Sequence, residues 1–165
     1  MSSDPTRIDI TFDPTRARME GVARHGNVPF DVPFISQITE NLWTGGCANG
    51  LILPNNIDHL VSLYPWERYT IMHELKSELY VRLYDSLDQE MGEVESVAEW
   101  VLGCMHQGPT LVHCQAGLNR SSLVAARTLM LDGWSADRAI ETLRDKRSPA
   151  VLCNPAFEDW LRERE

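Results

Sequence analysis

A cysteine, an arginine six positions later and a serine beside it share one short stretch, "TLVHCQAGLNRSS" (110–122). The stretch is apolar up to His113 and turns polar after Cys114. A cysteine that only fills a core sits among other apolar side chains, whereas this one stands where apolar character stops. From Gln115 through Ala116, Gly117, Leu118 and Asn119 to Arg120, the backbone can curl so that successive N–H groups point inward. That makes an anion nest at a helix start. Gly117 supplies the positive φ or the close backbone approach that such a curl requires. Arg120 offers a planar fork that grips two oxygens of a phosphate at once. The helix start, the inward N–H groups and the guanidinium all favour the thiolate of Cys114. A thiolate held under a phosphate cradle is a nucleophile aimed at phosphorus. The Ser121 hydroxyl can donate to the sulfur and ease its departure from a thiophosphate intermediate. His113 is expected to orient the loop through backbone hydrogen bonds rather than to act as a base.

Such a loop needs a strand before it and a helix after it. "PTLVH" reads as a short, fully apolar strand of a mainly parallel sheet. "SSLVAARTLML" is apolar nearly all round and reads as a buried helix closed by Gly133. Upstream, "FISQITENLWTGG" predicts one or two short strands ending at the Gly45–Gly46 turn, and "IDHLVSLY" and "LYVRLY" (79–84) predict two more. Met91, Val94, Val97, Ala98, Val101, Leu102 and Met105 recur at helical spacing behind an acidic start, with Gly108 as the stop. "SADRAIETLRDKR" opens on a Ser cap. "NPAFEDWLRERE" has Asn154 as cap and Pro155 at the first helical position. The expected fold is α/β: one domain, 34–165, with a central, mainly parallel sheet of four to five strands flanked by helices. The phosphate-binding loop then lies between a central strand and a buried helix. Residues 1–33, rich in Arg, Asp and Pro and carrying "DPTR" twice, read as an N-terminal arm, partly ordered or disordered, with two Asp-Pro turn or helix-start signals.

A chain of 165 residues with 43% apolar and 24% charged residues fits one globular domain. No apolar run approaches the length of a membrane span and "MSSDPTRIDI" has no signal-peptide core, so a cytoplasmic location is expected. The four scattered cysteines (Cys47, Cys104, Cys114, Cys153) read as reduced thiols. Either Cys47 or Cys153 could resolve an oxidised Cys114. The net charge of −9 argues against nucleic acid and anionic membranes as partners, without closing off nucleic acid altogether. Yet residues 113–147 carry 6 Lys/Arg against 4 Asp/Glu, while residues 1–112 carry 7 against 16. The mildly basic segment that opens at the loop suits a small anionic ligand. A metal centre built from Cys104, His106, His113 and Cys114 is disfavoured, because two of the four sit on a helix and no paired CxxC occurs. Arg144, Lys146 and Arg147 read either as attractors of phosphorylated substrates or as cations complementing a helix C-terminus. The five tryptophans read as core and rim packing.

"HCQAGLNRS" (113–121) matches the His-Cys-x5-Arg-Ser/Thr signature of the cysteine-dependent protein phosphatases, and the small-domain layout resembles their dual-specificity branch. "ITENLWTGG" resembles the opening strand and turn of those domains, and "LRDKRSPAVLCNPAFEDWL" their closing segment. The likeness covers about 130 residues from Phe34 onward. It implies a phosphatase without cofactor or metal, acting on phosphotyrosine and/or phosphoserine and phosphothreonine of proteins through a phosphocysteine. It also implies an upstream aspartic acid that protonates the leaving oxygen. Asp85, directly after "LYVRLY" and 114 − 85 = 29 residues before Cys114, is the favoured candidate, with Asp88 in reserve. Asn119 departs from the Gly or Ser common before the arginine, and its tolerance of left-handed backbone lets the loop form. "GLNR" also resembles the loop of RNA 5′-triphosphatases sharing this fold. RNA 5′-triphosphate, phosphoinositide and other small phosphate esters are therefore alternative substrates, and a catalytically weak phosphate-recognition module is a further alternative. No Lys-Asn-Arg-Tyr segment is present, which implies a shallow pocket. The oligomeric state is left open.

Overall fold

The computed structural model describes residues 8–9, 20–25, 28–84 and 91–165. Within the first 33 residues, β1 (Ile8–Asp9), β2 (Glu20–His25) and β3 (Val28–Pro33) pair as an antiparallel sheet in the order β1-β2-β3. Its register pairs Ile8 with Ala23 and His25 with Val28. The sequence pattern, dominated there by Arg, Asp and Pro, gives no strand alternation from which to read it.

The second sheet comprises β4 (Ile35–Gln37), β5 (Leu42–Gly45), β6 (His59–Ser62), β7 (Ser77–Tyr80) and β8 (Thr110–His113). Its order is β4-β5-β8-β6-β7. Only the β4–β5 pair is antiparallel. β8 lies between two parallel neighbours, its residues are all buried, and His113 is level with Gly45 on one side and Ser62 on the other. The chain thus leaves the middle of the sheet at a carboxyl edge lined by three strand ends, where α/β folds bind ligands.

The helices are α1 (Met91–Met105), α2 (Arg120–Leu131), α3 (Ala136–Lys146) and α4 (Pro155–Arg162). Helix α2 touches α1, α3, α4, β5 and β8. That central position explains why Ser121–Ala126, Thr128 and Leu129 are all buried. Its end falls at Gly133, whose φ of +101° stops the helix. Ser135 Oγ accepts the Arg138 N–H at the start of α3, and the Asn154 side chain accepts the Ala156 N–H at the start of α4. On α1 the buried face includes Cys104 in place of the expected Leu102, which is half-buried.

The strand expected over 79–84 is shifted. β7 covers Ser77–Tyr80, and only single backbone bonds continue it, from the Val81 N–H to Ser62 O (2.8 Å) and from the Leu83 N–H to Leu63 O (3.2 Å). Its partner β6 stops at Ser62, shortly before Pro65, which has no N–H to give to a neighbouring strand. The segment 81–84 stays extended beside the sheet but outside it. Among the described residues, no helix is long and apolar enough to cross a membrane.

Candidate active site

The loop 114–120 starts at the end of β8 and finishes in the first turn of α2, and its geometry follows from where its carbonyls go. Gln115 O accepts the Cys47 N–H (3.0 Å), and Leu118 O accepts the Leu152 N–H (2.9 Å). Ala116 O accepts from Arg147 Nη2 (3.1 Å), and Gly117 O accepts from Arg147 Nε. All four acceptors are committed to the surrounding scaffold. In a planar trans peptide the N–H points opposite to the C=O. The amides of Ala116, Gly117, Leu118 and Asn119 therefore face the inside of the curl. The Gly117 N–H does so visibly, donating to Cys114 Sγ at 3.2 Å.

Gly117 makes this curl possible. Its φ is +72°, and a Cβ there would lie 2.4 Å from the Gly45 carbonyl carbon and 2.6 Å from the Gly46 nitrogen. Backbone lies against backbone at this point, so no other residue fits without displacing the β5 turn. The side chains of Ala116 and Leu118 are buried in the core and anchor the loop from below. Asn119 is buried with φ −107°, outside the left-handed region expected for it. Its role lies in the side chain. The Asn119 Oδ1 accepts the Asn154 N–H (3.0 Å), and its Nδ2 lies 3.2 Å from Cys153 Sγ. The amide thereby ties the loop to the start of α4.

Cys114 is buried, with its N–H on Gly45 O (3.1 Å) and its sulfur 3.5 Å from Ser121 Oγ. Arg120 is also buried; its guanidinium carbon lies 5.1 Å from the Tyr64 ring centroid, and Nη1 donates to Leu83 O (3.5 Å). His113 lies beneath the loop. Its Nδ1–H donates to the Cys114 carbonyl (3.2 Å), and its ring meets Tyr69 edge to face (5.2 Å). Burial pushes the His113 imidazole down to about 4, against the hydrogen bond to Cys114 and helped by the charge of Arg120. At neutral pH the ring is uncharged, a fixed donor to the strand end. The Tyr69 hydroxyl donates to Gly46 O, which holds the neighbouring turn in place.

The structure thus brings Cys114, Gln115–Arg120, Ser121 and His113 into one site. Asp85 and Asp88 lie outside the described residues. Cys104, His106 and His113 are dispersed: Cys104 faces Ser77, His106 faces Asp132, and His113 underlies the loop.

Arg147 is the functional residue that sequence reasoning placed wrongly. It neither complements a helix end at the surface nor reaches toward solvent. It is buried, its Nη1 donates to Ser36 Oγ (3.1 Å), and its other nitrogens hold the loop carbonyls. Desolvation lowers its pKa to about 10, so it remains a cation at neutral pH. No local signal distinguishes it from Arg144, which instead bonds Val151 O and Glu158. The partners of Arg147 lie 30 and more residues away.

Residues 51–165 match the family described as dual specificity phosphatase, catalytic domain. The chain belongs to that family. It is 29% identical over 139 residues to cyclin-dependent kinase inhibitor 3 of Rattus norvegicus, covering 78% of this chain and 62% of that protein. The chain thus spans about three-fifths of that relative's length. It is 23% identical over 141 residues to dual specificity protein phosphatase OPG106 of vaccinia virus (strain Copenhagen), covering 79% and 81%. The fold is similar to that of a mouse putative dual specificity phosphatase solved with zinc tungstate. That match has a TM-score of 0.68 and 23% identity, and it covers 79% of this chain and 86% of the other.

Proposed function

We propose that this chain is a cysteine-dependent phosphatase that hydrolyses phosphate esters of tyrosine and/or serine and threonine on proteins. The observation that carries the reading is the Cys114 sulfur at the focus of the loop amides, with the Gly117 N–H on it and Ser121 Oγ beside it. In the first step the Cys114 thiolate attacks phosphorus as the P–O ester bond breaks. The three equatorial oxygens take the amides of Gln115–Arg120 and the Arg120 fork, which meet their charge in the transition state. Asp85 gives its proton to the departing oxygen, and Asp88 is the reserve for that role. In the second step the same carboxylate takes a proton from water, which attacks the phosphocysteine. The P–S bond breaks, and Ser121 donates to the leaving thiolate. The family and the phosphatase name of the vaccinia relative support this class of reaction.

The test is hydrolysis of a small aryl phosphate in the presence of a chelator. Wild type turns over, Cys114→Ser falls to background, and Asp85→Asn loses most activity on esters with poor leaving groups. Undiminished turnover by Cys114→Ser, or strict dependence on a divalent metal, would refute the mechanism. Tight phosphopeptide binding without turnover by the wild type would replace it with a recognition module.

A further inference from the structure

The extended segment after β7 carries a feature that the chemistry above does not use. With Val81 and Leu83 bonded toward Ser62 and Leu63, the alternating residues Tyr80, Arg82 and Tyr84 share one face. Across from them lie Trp66 and Arg68. The Arg82 guanidinium carbon sits 4.3 Å from the Trp66 ring centroid and 4.6 Å from that of Tyr84, and Arg68 stacks on Tyr80 at 4.3 Å. Trp66 and Tyr84 are 53% and 50% exposed, large apolar surfaces left at the protein boundary. Among the described residues no carboxylate pairs with Arg82, although the chain as a whole is acidic.

This ledge is continuous with the candidate active site. Arg120 lies over Tyr64, Tyr64 meets Trp66 at 5.0 Å, and Trp66 meets Arg82. Arg120 also bonds the carbonyl of Leu83, the neighbour of Arg82. The path from the phosphate-holding arginine to Arg82 is three steps of 4.3 to 5.1 Å, a span that about four residues of extended peptide cover at most.

Stacking on aromatic rings fixes the plane of a guanidinium, lowers the entropy lost on binding and leaves its in-plane N–H groups for an acceptor. We infer that Arg82 is a specificity-determining residue that reads a negatively charged side chain, a carboxylate or a second phosphate, flanking the phosphorylated residue of a protein substrate. The inference rests on the phosphatase reading above. A nucleic acid is the poorer occupant. The rings that would stack a base are engaged with each other and with Arg82, and a polyanion would meet the acidic remainder of the surface.

The experiment compares two phosphotyrosine peptides, one with Asp or Glu within four positions of the phosphorylated residue and one with Asn or Gln there. The readout is the ratio of their kcat/KM values, which is independent of how much of each preparation is active. Wild type is expected to favour the acidic peptide about twofold to fivefold, the upper part of the range of an exposed ion pair, mainly through KM. The preference fades as salt rises. Arg82→Ala brings the ratio to about one, and Arg82→Lys, which keeps the charge without the fork, recovers less than half of it. A wild-type ratio of one, or a ratio unchanged in Arg82→Ala, overturns the inference. So does a loss in Arg82→Ala that falls on triphosphate-ended RNA rather than on the peptides. If wild type hydrolyses neither aryl phosphate nor peptide, the phosphatase reading fails by itself. The same two peptides are then compared by Kd, where a preference abolished in Arg82→Ala sustains the role of Arg82 and its absence removes it.

Discussion

Replacing Arg147 by methionine tests whether the loop is shaped from behind. The substitution keeps the unbranched apolar stem and much of the volume of the side chain but removes every donor. Its bonds to Ala116 O, Gly117 O and Ser36 Oγ disappear, and the acceptors are left buried. Each buried acceptor without its partner costs about 1–3 kcal/mol. Against that loss stands the cost of burying the guanidinium. Its pKa falls from 12.5 to about 10, and that shift amounts to about 3 kcal/mol that Arg147→Met recovers. The net expectation is a loss of about 0–6 kcal/mol in stability, centred near 3, measured by chemical denaturation. The larger effect is expected in the site. Without the clamp, the Ala116–Gly117 and Gly117–Leu118 peptides are free to rotate, and the inward amides lose their common focus. A misplacement of about 1 Å costs about a hundredfold in rate, so kcat/KM on an aryl phosphate and affinity for vanadate should both fall by about that factor. Arg147→Lys should rescue little, since a point charge cannot bridge two carbonyls. A folded Arg147→Met variant with wild-type vanadate affinity and kcat/KM would refute the reasoning.

Two further outcomes follow from the same geometry. His113 resists protonation in the fold, with its pKa at about 4 against 6.5. Between those values the unfolded chain binds a proton that the folded chain does not, so His113 makes stability fall as pH drops from 6.5 toward 4. The loss amounts to roughly 3 kcal/mol. His113→Asn should flatten the pH dependence of the denaturation free energy by that amount, and parallel profiles would rule the assignment out. Gly117→Ala puts a methyl group against the backbone of Gly45 and Gly46 at positive φ. It should destabilise by about 1–3 kcal/mol and lower vanadate affinity and kcat/KM together. A variant with an intact site would show that the curl tolerates a side chain.

Periodicity and caps made the strand-loop-helix unit readable, because β8, α2 and the starts of α3 and α4 are each decided by residues next to one another. Helix α2 is apolar on almost every face, which only a helix surrounded by other elements can afford. The same locality explains the misses. "LYVRLY" alternates like a strand, but β6 ends before the segment does, and a strand without a partner leaves the sheet. Asn119 reads as a backbone residue because a residue type signals its own φ. Its side-chain bond to Asn154, 35 residues on, has no signature in the flanking sequence. Arg147 is the same case in a stronger form. A cation at the end of a helix looks like a surface residue until the loop that it supports is folded against it.

An acidic protein with an anion site is consistent once distances are considered. The net charge of −9 is a total over the whole chain, and beyond about 8–10 Å exposed charges are largely screened at physiological salt. The groups facing a bound phosphate are of another kind. The loop amides, Arg120 and the buried Arg147 behind them lie in a medium where fields are less screened. A single phosphate in the loop therefore meets local positive potential, and a short peptide extends it only as far as the ledge that holds Arg82. A ligand with charge repeated along its whole length leaves that local field and runs over the acidic exterior. Total charge and local charge thus select together, admitting an anion of limited extent. This is the electrostatic argument behind the proposal of a phosphorylated peptide, with an acidic neighbour within reach of Arg82, rather than RNA or an anionic lipid surface.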